Sequence, residues 1–371
     1  MKIDYLRVEG FKSIAEAVLR DIEPFTAFAG ANGAGKSNLV DALAFFGAVV
    51  KRGASQAIRD FGGFNQIHCF KHRKTKRTTA RFKLRISLQG VQCVYSLAVA
   101  NMHLAPEVTE HLAVDGLTLI EREVSTQPRI LFPDSSTPSV LPNYSPDMTA
   151  LMLQSHLELY QWLTNISVYR FDPLQAKRPN ASTVDATLLS TDGSNVAALL
   201  SVMEKNAAHR DQILEWIELI VPGMKSVSTQ KQRLDSTTVL TFEEQGTKTR
   251  FPAQLISDGT VYALCIMAAL LSRSSKSGLT IIEEPERGVH PKAIGELVQL
   301  MRENASLEHP VLITTHSESI VRNLDLEELL LVSKPDGRTS IKRASMAGAS
   351  TEDIPLDTAW LTNMLDGGLP W

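Results

Sequence analysis

Eight consecutive residues carry the strongest chemical signal in the chain: Gly30, Ala31, Asn32, Gly33, Ala34, Gly35, Lys36 and Ser37. They follow the pattern G-x-x-x-x-G-K-[ST] of a phosphate-binding loop. Glycines let main-chain amides wrap an anion in conformations that a side chain would forbid. A helix opening at Lys36 aims its positive end at the same anion. Lys36 is then placed to reach the β- and γ-phosphates of a nucleotide, and Ser37 to ligate Mg²⁺ through its hydroxyl.

Three further groups extend this chemistry. The apolar run Leu279-Thr280-Ile281-Ile282 ends in Glu283-Glu284-Pro285. Glu283 is expected to hold Mg²⁺ through water, and Glu284 to polarise the attacking water as general base. A second apolar run, Val311 to Thr315, ends in His316. A lone histidine is more often structural, but after a phosphate loop and a Glu-Glu strand end it is the expected γ-phosphate sensor. Finally, Ser257, Asp258 and Gly259 precede the long apolar stretch 261–272. Their plain reading is a helix cap. The same physics makes a second anion seat. The phosphate loop already holds a phosphate, so this seat completes a site only across a dimer.

These residues need strand ends and helix starts to position them. Phe25 to Ala29 reads as a short buried strand leading into the loop. Residues 38–46 read as a helix with apolar side chains at 39, 40, 43 and 46. Continuous apolar strands such as 279–282 and 311–313 imply a parallel sheet covered on both faces. Elsewhere the pattern alternates. Residues 2–8 and 15–20 read as strands around Glu9-Gly10-Phe11-Lys12-Ser13, and 79–99 as an antiparallel hairpin turning at Gly90. Strands follow at 107–114 and 117–124 around Asp115-Gly116. Residues 125–148 are rich in Pro, Ser and Thr and read as an exposed connection. Residues 151–164 read as a helix, 166–171 as a strand, 209–220 as a helix stopped by Pro222-Gly223, and 226–251 as strands. The fold class is therefore α/β, with a mixed sheet, an N-terminal antiparallel β subdomain and an inserted α/β lobe. The boundaries are 1–124, 125–254 and 255–371, the last completing the domain begun by the first.

Bulk composition excludes several alternatives. The 371 residues carry a net charge of −3, so no global charge drives nucleic-acid or membrane binding. The dense basic run is Lys71-His72-Arg73-Lys74-Thr75-Lys76-Arg77. It is open to two readings, a solvated hairpin tip or a phosphate-backbone contact for DNA or RNA. Cys69, Cys93 and Cys265 show no zinc spacing and suit a reducing compartment. No signal-like N-terminus or membrane-length apolar run is present, so the expected location is the cytoplasm, without membrane contact. No internal repeat and no long heptad run occur.

The order of phosphate loop, Ser-Gly helix start, Glu-Glu strand end and strand-end His resembles the ABC-type ATPases. More narrowly it resembles their SMC/RecF/OLD branch, and most of all the small OLD-like ATPases of the AAA15 group. The likeness runs through residues 9–13, Gly30 to Leu39, Ser257 to Thr260, Glu283 to Pro291 and Thr314 to Ser317. Residues 191–195 and Gly367 to Trp371 agree with it. It implies a P-loop NTPase of ABC-head type with ATP and Mg²⁺ as cofactors. It implies that Asn38 belongs to the nucleotide-binding stretch and that Lys12 approaches the phosphates. It also implies that Gln66 senses the metal, and that Ser257 and Gly259 touch the γ-phosphate held by the other protomer. Glu286 to Pro291 would lie at the dimer seam. Asp258 departs from the wider pattern by bringing negative charge near a phosphate, and Glu283 by standing where Asp is usual. Both put fast turnover in doubt.

The expected function is an ATP-hydrolysing switch, a homodimer or assembly of dimers, whose closure controls a separate effector of Toprim-nuclease type in anti-phage defence. Only about 55 residues follow His316, too few for a nuclease domain in the same chain. The rival is a RecF-like repair ATPase that holds DNA itself through residues 71–77. A transporter subunit is disfavoured by Ser257-Asp258-Gly259-Thr260, and a P-loop kinase by the order of the motifs.

Overall fold

The computed structural model describes residues 2–69, 78–88, 90–181, 183–233, 236–273, 277–344 and 354–365. The basic run 71–77 and the terminal Gly367 to Trp371 lie outside the described residues.

Strands β1 (Lys2–Phe11) and β2 (Ile14–Ile22) form a hairpin, and β3 (Phe25–Ala29) leads into the phosphate loop. Helices α1 (Lys36–Arg52), α2 (Ala54–Asp60) and α3 (Phe64–Ile67) follow. The meander β4 (Ala80–Leu88), β5 (Val91–Ala100), β6 (Glu107–Val114) and β7 (Leu117–Arg122) comes next, with the two-residue strands β8 (Arg129–Ile130) and β9 (Ser139–Val140). All of these except β3 form one eight-stranded antiparallel sheet in the order β2-β1-β4-β5-β6-β7-β8-β9. Its alternation puts Phe82, Leu84 and Ile86 inside and Arg81, Lys83 and Arg85 outside.

Beyond it run a 3₁₀ turn at Ala150–Gln154, α4 (Glu158–Thr164), β10 (Ile166–Tyr169), α5 (Pro173–Ala176), α6 (Val196–Met203) and α7 (Ala207–Ile220). Strands β11 (Met224–Lys231), β12 (Thr238–Glu244) and β13 (Arg250–Pro252) make a small antiparallel sheet. The chain closes with α8 (Asp258–Ser272), β14 (Leu279–Glu283), α9 (Pro291–Glu303), β15 (Val311–Thr315), α10 (Glu318–Val321), β16 (Leu329–Ser333), β17 (Ser340–Arg343) and α11 (Leu356–Leu361).

The sheet that matters for chemistry has the order β10-β14-β15-β3-β16-β17, parallel except for its edge strand β17. Its central strands read as unbroken apolar runs because both faces are covered. Phe28, Ile281, Leu312 and Leu330 pack toward α1 and the eight-stranded sheet. Their chain neighbours Ala27, Ile282, Ile313 and Leu331 pack toward α6, α7, α8 and α9. Helix α8 is buried from Gly259 to Leu271, which accounts for its lack of a polar face. On the other side Phe46 of α1 stacks on Phe82 at 4.9 Å and on Tyr95 at 5.9 Å, fixing the loop's helix to the antiparallel sheet.

Residues 125–254 contribute strands to more than one sheet. Strands β8 and β9 extend the antiparallel sheet, and β10 pairs in parallel with β14 as the edge of the site-bearing sheet. Strands two to four residues long carry too little periodicity to reveal their partners.

Candidate functional site

The carboxyl ends of β3, β14 and β15 lie side by side. Ala29 pairs with Thr315, and Glu283 with Thr314. Ligands bind at such strand ends in open α/β sheets. The phosphate loop leaves β3 and enters α1 at Gly35, whose φ is +105°. A Cβ on Gly30 would stand 2.2 Å from the Val332 carbonyl oxygen, and one on Gly35 would stand 2.1 Å from Thr339 Oγ1. Glycine is therefore required at both positions by the hairpin of β16 and β17 pressed against the loop. Lys36 is buried, and its Nζ donates to the carbonyls of Gly30 at 2.7 Å and Ala31 at 3.1 Å. Burial lowers its pKa, against the opposing pull of Glu284, Glu286 and Glu283. Asn32 and Gly33 are exposed at the tip of the loop, while Ala34 is buried.

Asn38 is a brace in this structure. Its Nδ2 donates to Ser13 Oγ at 2.5 Å, and Ser13 in turn shares a 2.6 Å hydrogen bond with Thr339. The turn between β1 and β2, the loop helix and the β16–β17 hairpin are thereby tied at one point.

The acidic strand end meets the loop as its spacing predicts. Ser37 Oγ donates to Glu283 Oε2 at 2.9 Å. The next residue, Glu284, adopts φ +51°, a left-handed conformation that costs a non-glycine residue roughly 1 kcal/mol and is typical of functional turns. Three bonds hold it there: its own amide donates to Thr314 O at 2.9 Å, and its carbonyl accepts from the Tyr262 hydroxyl and from the Arg287 amide, each at 3.0 Å. The Glu284 carboxylate lies 3.2 Å from His316 Nδ1, so the expected base and the expected sensor are in contact. Glu286 backs the pair. It accepts from Thr315 Oγ1 at 2.7 Å and from the His316 amide at 3.4 Å, and burial raises its pKa.

Two residues that sequence reasoning passed over stand in the same cleft. Arg170 follows β10 directly and places Nε 2.7 Å from Glu283 Oε1. One of its terminal nitrogens reaches Asp41 Oδ1 at 2.5 Å. Asp41 lies one turn after Ser37 on α1, and its other oxygen is taken by Lys12 Nζ. The signal for Arg170 was positional, a charged residue ending an apolar strand like Glu283 and His316, but nothing in the sequence paired β10 with β14. Lys12 does reach the cleft, with its ammonium on Asp41. Gln66 is exposed on α3, and among the described residues no hydrogen bond joins it to Ser37 or Glu283. The two oxygens of Glu283 accept from Ser37 and Arg170.

Ser257 caps α8, its Oγ accepting from the Thr260 amide at 3.2 Å. Asp258 is exposed, but its carboxylate pairs with Lys177 Nζ at 2.5 Å. The charge expected to oppose a phosphate there is thus largely compensated, and Lys177 is held in place by the Ile256 carbonyl at 2.7 Å. A Cβ on Gly259 would stand 2.0 Å from the carbonyl oxygen of Gly288, in the loop after Glu286. Among the described residues no hydrogen bond links Ser257, Asp258 or Gly259 to the chain's own phosphate loop.

Residues 25–322 match the family described as "AAA domain, putative AbiEii toxin, Type IV TA system". The chain belongs to this family. No curated protein matches it. Among solved structures, this AAA-family chain is similar to SMC head domains. The SMC head bound to the C-winged helix domain of ScpA aligns at a TM-score of 0.59 and 16% identity, covering 92% of this chain and 97% of that one. The SMC head with an extended coiled coil bound to the C-terminal domain of ScpA, from Pyrococcus furiosus, aligns at 0.57 and 14%, covering 92% and 96%. The Thermotoga maritima SMC head aligns at 0.51 and 14%, covering 93% and 100%. The fold is that of the SMC head domains, a P-loop NTPase fold. No helix among the described residues is long and apolar enough to cross a membrane.

The donor set of this AAA-family site fits Mg²⁺. One hydroxyl and one carboxylate stand 2.9 Å apart beside the loop, and no cluster of three or more His, Cys, Asp or Glu is set to hold a metal among the described residues. Mg²⁺ is usually held this way, by one or two protein oxygens together with substrate phosphates and water.

Proposed function

We propose that the chain binds and hydrolyses Mg·ATP as half of a symmetric pair, and that closure of two copies controls a separate effector. The observation that carries this reading is the Glu284–His316 contact beside the Ser37–Glu283 pair, on neighbouring strand ends. Ser37 and Glu283 would hold Mg²⁺, which supplies charge stabilisation to the transferred phosphoryl group. Lys36 exchanges the Gly30 and Ala31 carbonyls for β- and γ-phosphate oxygens. Glu284 accepts a proton from the attacking water, and His316 fixes the direction of that carboxylate while its ring reads the γ-phosphate. Ser257 and the amide end of α8 have no phosphate within their own chain, and they complete the site of a second copy. The supporting resemblance to OLD-like ATPases makes a nuclease-like partner chain in anti-phage defence the favoured effector.

Glu284→Gln tests the reading. It is expected to keep ATP binding, to lower phosphate release by about 10²–10⁴-fold, and to accumulate an ATP-dependent dimer by light scattering. Hydrolysis at the wild-type rate would remove Glu284 from its assigned role.

A second reading, direct contact with DNA, draws on exposed Arg81, Lys83 and Arg85 along one face of β4. Positive side chains on an open sheet face can meet a phosphate backbone.

A further inference from the structure

The arginine in the cleft has no place in the chemistry set out above. Arg170 makes two approaches to one oxygen of Glu283, from Nε at 2.7 Å and from a terminal nitrogen at 2.6 Å. Ser37 takes the other oxygen of the same carboxylate. Both oxygens of Glu283 are therefore engaged, one of them by a cation. Asp41 is equally engaged, with Arg170 on one oxygen and Lys12 on the other. Two carboxylates and two cations balance within the cleft.

We propose that Arg170 stands in for the metal's charge while the site awaits nucleotide, and that it must surrender Glu283, keeping Asp41, before Mg·ATP can be seated. Arg170 is then a positioning residue that sets how much Mg²⁺ the site needs. The inference rests on the Mg·ATP reading of the site.

The geometry says which partner can move. The side chains of Glu283 and Asp41 are 12% and 14% exposed, whereas that of Arg170 is 44% exposed. The carboxylates are packed in place, and the guanidinium reaches them from the solvent side. Its main chain is fixed, because the Arg170 amide donates to Thr191 O at 2.8 Å and Phe171 is buried edge-on against Tyr262 at 5.5 Å. A fixed backbone with a long exposed side chain allows rotation without disturbing β10. The charges agree: without Arg170, two neighbouring carboxylates would repel each other and draw any available cation more strongly. The bond to Asp41 keeps the released guanidinium near, on the helix that begins at the phosphate loop.

The test titrates Mg²⁺ against a fluorescent ATP analogue bound to the full chain, and reads the half-saturating Mg²⁺ concentration. In Arg170→Ala it is expected to fall by about three- to thirtyfold, because the metal no longer competes with a resident cation. Arg170→Lys, which keeps the charge, should stay near wild type. Arg170→Gln, which keeps length and hydrogen bonding without charge, should behave like Arg170→Ala and serves if that variant does not fold. A purely structural arginine would weaken binding at every Mg²⁺ concentration without moving the midpoint. An unchanged or raised midpoint in both neutral variants, with nucleotide still bound, overturns the role of Arg170 and leaves the ATP site standing. Failure of the wild-type chain to bind the analogue at any Mg²⁺ concentration overturns the reading on which the inference rests.

Discussion

At Gly35 the absent side chain holds two constraints at once, a φ of +105° and a Thr339 hydroxyl where a Cβ would stand. Gly33 has only the first, with φ +79° and no atom within 4 Å of an added Cβ. Gly33 and Gly35 are thus not equivalent. Gly33→Ala should cost about 1–2 kcal/mol, the price of a left-handed backbone. Gly35→Ala should cost about 2–4 kcal/mol, since overpacking adds to the same backbone term. Chemical denaturation of the two variants checks the difference, and equal costs would show that Thr339 yields freely. Residue chemistry at the site was the most legible layer of the sequence. The types at 36, 37, 283, 284 and 316 raise the expectation of phosphate, metal, base and sensor, and the structure gathers Glu283, Glu284 and His316 at neighbouring strand ends beside Lys36 and Ser37 at the start of α1. What could not be read was which neighbours these side chains take, as with Lys36 on the carbonyls of its own loop and Asn38 on Ser13.

The elements meet at the same glycine. Thr339 precedes β17 and joins the β1–β2 turn through its amide, which donates to Ser13 O at 3.0 Å, so the edge hairpin acts as a clamp on the loop. A double-mutant cycle measures this. Gly35→Ala should cost less in a Thr339→Gly background than in wild type, by a coupling of about 0.5–3 kcal/mol, because the opposing side chain is gone. Additive costs would mean that the clamp does not bear on the loop. Long apolar runs gave their strands away: Phe25 to Ala29, Leu279 to Glu283 and Val311 to Thr315 all fold as read. Residues 151–164, expected as one helix, divide into a 3₁₀ turn and α4, because Gln154 and the residues after it turn the chain before Glu158. The strand at 166–169 was visible, but its partner was not. Parallel pairing joins β10 to β14 across more than a hundred residues, and no local pattern encodes that choice. With the pairing hidden, Arg170 was hidden too.

At the scale of the molecule, the proposed pairing requires a second copy to complete the site. Ser257 caps its own helix and makes no hydrogen bond to its own loop, while Lys177 neutralises the neighbouring Asp258. A mixing experiment follows. A Lys36→Ala chain and a Ser257→Arg chain should each be inactive as a pure sample. Mixed in equal amounts they should recover about a quarter of wild-type turnover, because half of randomly formed pairs hold one intact composite site out of two. Phosphate release from the mixture that stays at the level of the separate samples would show that each chain works alone. The place where such a pair would close also has an unusual mechanical character. Gly259 meets the main chain of Gly288 so closely that a carbon added at Gly259 would stand 2.0 Å from the Gly288 carbonyl oxygen. A joint made of backbone has no rotamers and so no slack. Side-chain contacts can absorb a small displacement by reshuffling, but this one can only pass it on. The start of α8 and the loop after Glu286 must therefore travel together, as a rigid coupling that turns motion of one into motion of the other.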